Sequence, residues 1–289
     1  MNAIEIKNLT KSFSGFKLDN LSLTLPSGCI LGLIGENGAG KSTTIKLILG
    51  ALRADSGSIS LLGRDSREMT ALEKEEIGVV LDGVSFPQTL TLRQIEHMFA
   101  LSYTNWDAAE FKRLVSKFGL SEDWNKKFKD FSRGMRMKLG IAAALSHGAK
   151  LLILDEATAG LDPVVRDEVL DILNDFTRDE THSVLISSHI VSDLEKLCDY
   201  IAFLHRGRLM LCEEKDELLS EYGILRCAKD ELRELDESAV LYRRETPYAA
   251  ELLVRRDAVP RGLDVSGVSI EELFVLMIKS TEADAESAC

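Results

Sequence analysis

The most specific chemistry in this 289-residue sequence sits in one run, Gly35-Glu36-Asn37-Gly38-Ala39-Gly40-Lys41-Ser42-Thr43. It fits the pattern G-x-x-x-x-G-K-[ST] with an extra central glycine. Glycines at these places let a loop wrap tightly, so that its backbone N–H groups approach phosphate oxygens. An apolar strand pattern (Cys29 to Ile34) precedes the run and a helical pattern (Thr44 to Leu49) follows it, which is the context such a loop needs. The helix start adds free N–H groups and the positive end of its dipole. In this arrangement Lys41 reaches the β and γ phosphates of a nucleotide, and the Ser42 hydroxyl holds magnesium.

Hydrolysis also requires a carboxylate near the metal and a group that takes a proton from water. Leu151-Leu152-Ile153-Leu154-Asp155-Glu156 supplies both. Its four apolar residues predict a buried strand lying beside the loop's strand. Asp155 emerges at the C-terminal end, where ligands collect in open α/β sheets, and is expected to hold magnesium through a water. Glu156 faces differently and is the candidate base.

These residues need elements to hold them. Short apolar runs at Ile4 to Leu9, Leu18 to Leu25, Cys29 to Ile34 and Ser58 to Leu61 predict an antiparallel piece near the N-terminus. Between about 91 and 147 apolar residues recur at helical spacing (Leu92, Ile95, Phe99; Phe111, Leu114, Val115, Phe118), predicting a helical subdomain. Strands return at Leu151 to Leu154 and Ser183 to Ser187, each followed by a helical pattern, which implies a parallel sheet. Composition shifts near residue 222. The boundaries expected are 1–221 for the main domain, 222–280 for a small α+β accessory domain with an apolar helix near Leu273 to Ile278, and 281–289 for a disordered tail. The pairs Arg243-Arg244 and Arg255-Arg256 read as solvated strand faces.

Bulk properties narrow the class. A hydrophobic content of 45% supports a sizeable core, and the net charge of −12 lacks the footprint of a nucleic-acid or anionic-lipid binder. No apolar run is long enough to span a bilayer, and no secretion-signal pattern is expected at the N-terminus. Five scattered cysteines form neither a zinc spacing nor a disulfide framework, so the cytoplasm is the expected compartment.

Three further segments stand in a fixed order around the acidic strand: Phe131-Ser132-Arg133-Gly134-Met135, Ala159-Gly160-Leu161-Asp162 and Ser187-Ser188-His189. With the glycine loop, this set over about residues 1–220 resembles the nucleotide-binding subunit of ABC transporters. It is most similar to the bacterial ABC-2-type exporters of the antibiotic-resistance and envelope-stress group. The resemblance implies a P-loop α/β cassette with an antiparallel β subdomain and a helical subdomain. It implies binding and hydrolysis of ATP with Mg²⁺, energising export, antibiotic or antimicrobial peptide included. The chain would sit on the inner membrane face through a polytopic membrane subunit and pair with a second nucleotide-binding subunit, as homodimer or heterodimer. No nucleic-acid partner is implied.

The same resemblance gives roles. Gly35 to Thr43 correspond to Walker A, and Asp155 and Glu156 to the Walker B aspartate and catalytic glutamate. Phe13 falls where an aromatic stacks on adenine. Ser132 and Gly134 fall in the signature that contacts the opposite subunit's ATP, Asp162 in the D-loop, and His189 at the switch histidine that senses the γ-phosphate. Three departures stand out. The signature reads FSRGM where LSGGQ is usual. Ala157 replaces a proline. Asp82, in Ile77-Gly78-Val79-Val80-Leu81-Asp82, occupies the Q-loop glutamine position, from which an aspartate can approach magnesium. Two rivals are a soluble ABC ATPase acting on ribosomes or DNA, and an ATP-sensing module without turnover. A single P-loop and no sustained heptads weigh against the first, and Glu156 with His189 against the second.

Overall fold

The computed structural model describes residues 1–81, 86–227, 235–236, 239–245, 249–260 and 262–287. Asp82, the expected Q-loop residue, lies outside them. The chain divides into two compact units, Met1–Cys212 and Glu213–Cys289.

In the first unit, β1 (Asn2–Phe13), β2 (Phe16–Pro26), β4 (Ser56–Leu61) and β5 (Arg64–Asp65) form an antiparallel sheet in the order β2-β1-β4-β5. Alternating Ile4, Ile6, Leu21, Leu23 and Leu25 fill its inner face. Each such side chain contributes about 1.5–3 kcal/mol by leaving water.

Against this stands a six-stranded sheet. Its members are β3 (Ile30–Gly35), β6 (Ile77–Val80), β7 (Leu151–Asp155), β8 (Ser183–Ser188), β9 (Tyr200–His205) and β10 (Arg208–Glu214), in the order β10-β9-β3-β8-β7-β6. The pairs β3–β8, β3–β9, β7–β8 and β6–β7 are parallel. β3, β7 and β8 are buried at every position, which is why their interiors read as apolar runs, though serines stand at both ends of β8. The acidic strand is not next to the loop's strand as expected from sequence, because β8 stands between them. Right-handed crossovers favour such reordering, and a strand's neighbours are a long-range property that its own residues do not encode.

Helices α1 (Lys41–Ile48), α2 (Ala71–Lys74), α6 (Pro163–Phe176) and α7 (Val191–Leu197) connect these strands. The expected helical region contains α3 (Leu92–Ser102), α4 (Ala108–Lys117) and α5 (Arg133–Leu145). Thr91 and Gln94 cap α3 reciprocally, and Asp107 accepts from two N–H groups at the start of α4. Leu92, Ile95, Phe111, Leu114, Val115 and Phe118 are buried as their spacing predicts. Phe99 joins a stacked cluster with Trp106, which in turn touches Phe111.

His147, just beyond α5, stacks on Tyr103 at 4.2 Å, and its Nδ1 lies 2.8 Å from the carbonyl of Glu75. Burial pushes its pKa below the usual 6.5. The unfolded chain therefore binds this proton more readily than the folded one, so the stability His147 contributes is present above about pH 6.5 and is lost as pH falls through the lowered folded value. Thermal melts between pH 7 and 5 are expected to show a steeper fall for the wild type than for His147→Gln. Equal slopes would contradict this.

The second unit contains α8 (Lys215–Glu221), β11 (Tyr222–Cys227), β12 (Val240–Glu245), β13 (Ala250–Arg255), β14 (Val265–Ser266) and α9 (Ile270–Ser287). Its sheet is antiparallel in the order β12-β13-β11-β14. α8 runs directly into β11 and buries Leu218, so the division falls before α8 and not at the expected 221/222 boundary. Leu273, Phe274, Met277 and Ile278 form the buried stripe of α9. The helix continues to Ser287, through most of the segment whose small acidic composition predicts a disordered tail. Its alanines and glutamates are good helix formers once a packed helix precedes them. Arg256 is no solvated strand face: it donates to the carbonyls of Tyr222, Val265 and Ser266 and so ties β11 to β14.

Candidate active site

The loop from Gly35 to Gly40 passes from the end of β3 to the first turn of α1. Gly35 cannot be larger, because a Cβ there would stand 2.6 Å from the carbonyl oxygen of Leu204 on β9. Gly38 and Gly40 adopt φ of 84° and 114°, the region open to glycine, so the chain can turn into the helix. The Ala39 N–H donates to the Glu36 carbonyl and closes the loop. Ala39 and Gly35 sit beneath, while Glu36, Asn37, Gly38, Gly40, Lys41, Ser42 and Thr43 line a cavity of about 660 Å³. That size lies within the range of small-ligand sites.

Lys41 is only 5% exposed. Its Nζ donates to the Gly35 carbonyl at 2.7 Å and stands 3.4 Å from Glu156 Oε1. Glu156 lines the same cavity, as does His189. Asp155 is 6% exposed and is not among the residues that line the cavity.

The acids are oriented by a residue that carried no role in the sequence reading. Register places Ser187 of β8 between Leu33 of β3 and Asp155 of β7. Its hydroxyl donates to Asp155 Oδ1 at 2.5 Å, and the Glu156 N–H lies 3.2 Å from the Ser187 Oγ and 3.1 Å from the Ser187 carbonyl oxygen. This clasp holds Glu156 at φ 53°, a left-handed conformation that costs a non-glycine residue about 1–3 kcal/mol. The turn swings its carboxylate away from Asp155 and toward His189, whose Nδ1 donates to Glu156 Oε2 at 2.6 Å. A serine two places before His189, directly after the apolar run Val184 to Ile186, was the available signal for this role.

Phe13 does not line the cavity and is 43% exposed. The aromatic at the cavity is Phe16, its partner across the β1–β2 turn, with ring centroids 6.3 Å apart. A Cβ on Gly40 would meet the tip of the Phe16 ring at 3.0 Å, so β2 and not β1 carries the ring over the loop.

Ser132 and Gly134 are not brought to this cavity. Ser132 caps α5, its Oγ accepting from the Met135 N–H at 3.2 Å, and both residues line a second cavity of about 560 Å³. Asp162, which caps α6 through the Val165 N–H, lines that cavity too.

The donors fit the groups expected of them. A glycine cradle with a buried lysine suits a polyphosphate. A serine hydroxyl and a carboxylate are hard oxygen ligands, and Mg²⁺ in nucleotide sites takes one or two protein ligands beside phosphate oxygens. Among the described residues no three His, Cys, Asp or Glu side chains converge as a protein-only metal cage.

Comparison with known proteins agrees with this geometry. The family model described as ABC transporter matches residues 18–159. The uncharacterized ABC transporter ATP-binding protein YhcH of Bacillus subtilis is 31% identical, with 99% of each chain covered. The lantibiotic transport ATP-binding protein SrtF of Streptococcus pyogenes is 36% identical over 74% of this chain and 91% of its own. A solved ATP-binding subunit of an ABC transporter superposes with a TM-score of 0.68 at 28% identity, over 75% of this chain and 91% of that one. With these likenesses, above all 31% identity over 99% of each chain, the chain belongs to the family of ABC transporter ATP-binding proteins.

Proposed function

We propose that this chain binds Mg-ATP in the cavity at Gly35 to Thr43, hydrolyses it, and drives export through a separate polytopic membrane subunit. The observation that carries the reading is the grouping of Lys41, Glu156 and His189 on one cavity wall, with Ser187 fixing both acids. Glu156 accepts the proton of the attacking water as the water oxygen bonds to the γ-phosphorus. The bond from that phosphorus to the bridging oxygen breaks, and ADP leaves. His189 holds the carboxylate in place, and Lys41 faces the β and γ phosphates. Ser42 and Asp155 would hold magnesium, which when bound draws charge from the phosphate oxygens.

Phe16 lines the cavity, and Phe13, exposed and with its ring 6.3 Å from that of Phe16, stays the candidate for the adenine on its sequence position. Asp82 stays a candidate for coupling or metal approach on its sequence position alone.

Because Ser132 and Gly134 open onto a different cavity from their own chain's loop, they suit the ATP of a second nucleotide-binding subunit facing head to tail. ATP shared between two such chains favours the closed pair, and hydrolysis releases it. Among the described residues no helix is long and apolar enough to cross a membrane, which is consistent with transport through a partner at the inner membrane face. The lantibiotic transport role of SrtF supports an antimicrobial peptide as cargo.

Phosphate release from the purified chain with Mg-ATP tests the enzymatic half of the reading, and co-purification of the tagged chain with a polytopic membrane protein tests the transport half. Steady phosphate release and a membrane partner are expected. A chain that releases none, alone or with its membrane fraction, would contradict the reading.

A further inference from the structure

We propose that Arg166 and Asp193 are positioning residues that hold His189 against Glu156, by tying the helix after the histidine to the loop after the glutamate. The inference rests on the ATP site proposed above. Asp193 lies in α7, the helix that begins just past His189, and is only 4% exposed. Its Oδ2 faces Arg166 Nε, on α6, at 3.5 Å. Among the described residues neither of these two atoms has a hydrogen-bond partner. A carboxylate so buried is costly unless a cation stands beside it, and Arg166 supplies that charge.

The guanidinium has a second attachment. Arg166 Nη2 donates to the Leu161 carbonyl at 3.4 Å. Leu161 belongs to the turns that begin at Glu156. The Ala159 N–H donates to the Glu156 carbonyl and the Leu161 N–H to the Thr158 carbonyl, and Asp162 then caps α6. One side chain therefore touches both segments that leave the sheet here, the loop that starts at Glu156 and the helix that follows His189. The side chains of Glu156 and His189 meet at 2.6 Å. Ser187 fixes Glu156 through its backbone N–H. The His189 side chain is 52% exposed, so packing around the ring does little to aim it. Its direction depends on the backbone that runs into α7, and Asp193 anchors that helix.

An apolar pair of similar volume would join α6 to α7 as firmly or more so. What the guanidinium adds is direction, because its planar donors stand at fixed angles and reach the Asp193 carboxylate and the Leu161 carbonyl together. Neither Arg166 nor Asp193 lines the phosphate cavity. Their loss should therefore slow turnover and spare nucleotide binding.

The test uses the full chain. Asp193→Asn keeps the shape and removes the buried charge, Arg166→Met removes the cation, and Arg166→Lys keeps the charge without the fork. Asp193→Asn and Arg166→Met are expected to lower kcat for phosphate release about 10-fold or more and to change Mg-ATP affinity by less than about twofold. Arg166→Lys should recover part of kcat. The double variant should be no slower than the slower single one, because both changes cut the same link. In the nucleotide-free chain the ring resonance of His189, identified by its loss in His189→Gln, should move in both single variants and return part of the way in Arg166→Lys. Should Arg166→Met fail to fold, Asp193→Asn alone decides the matter. An unmoved His189 resonance, an unchanged kcat, or a kcat lost only in proportion to the folded fraction would each overturn the proposal. Wild-type chain that binds no Mg-ATP would remove the ATP site itself, while the resonance, read without nucleotide, would still decide whether the pair positions His189.

Discussion

Glu156→Gln is expected to lower phosphate release at least about 100-fold while changing Mg-ATP affinity by no more than about threefold. The physical case is that the substitution removes one capacity and keeps the rest. The strained turn at residue 156 is held through its backbone N–H by Ser187, so the amide variant keeps the same φ and direction. The glutamine oxygen can still accept from His189 Nδ1, which now donates to Glu156 Oε2 at 2.6 Å. What disappears is the ability to take a proton from water. ATP then persists in the cavity, and with it the contacts that favour the closed pair. Gel filtration with Mg-ATP should therefore show the variant as a dimer under conditions where the wild type cycles back to monomer. Wild-type turnover by this variant would mean that Glu156 is not the base.

Lys41→Ala is expected to fail one step earlier. The ammonium is buried and makes its contacts with the carbonyl of Gly35 and the carboxylate of Glu156. Both acceptors carry negative or partial negative charge, and incoming phosphates add more. Removing the cation forfeits a charge-assisted interaction worth about 1.5–3 kcal/mol, or about 10- to 100-fold in ATP affinity, and leaves Glu156 uncompensated beside the phosphate. Phosphate release should fall below detection with it. Lys41→Arg should not rescue, because a planar guanidinium cannot occupy the narrow position 2.7 Å above the Gly35 carbonyl. The two variants thus separate by binding: Glu156→Gln retains ATP and Lys41→Ala loses it. If Lys41→Ala bound Mg-ATP as tightly as the wild type, the phosphate cradle would be misassigned.

The features legible in the sequence are those that short-range chemistry dictates. The glycine loop, its strand and its helix are contiguous, and each glycine answers a backbone need that no other residue meets as well. The buried strands announce themselves by apolar runs, and the helical subdomain by its spacing. What escaped reading depends on contacts between distant segments. Ser187 becomes an orienting residue only because β8 is inserted between β3 and β7, an order that no single strand encodes. Phe13 and Phe16 face each other across one turn, and which ring covers the loop is set by where β2 passes over Gly40. Arg133 reads as a simple departure from a motif until its side chain is seen lying on Gly160, in the loop after Glu156. The tail failed in the opposite sense: composition suggested disorder, but α9 arrives already nucleated and packed, and propagation costs little.

Titration calorimetry of the purified chain with Mg-ATP is the most direct test that a nucleotide's phosphates sit in the turn between residues 35 and 43. One ATP per chain should bind with measurable heat, and Lys41→Ala should abolish the signal. Absence of heat from the wild type at millimolar Mg-ATP, or an undiminished signal from Lys41→Ala, would contradict it.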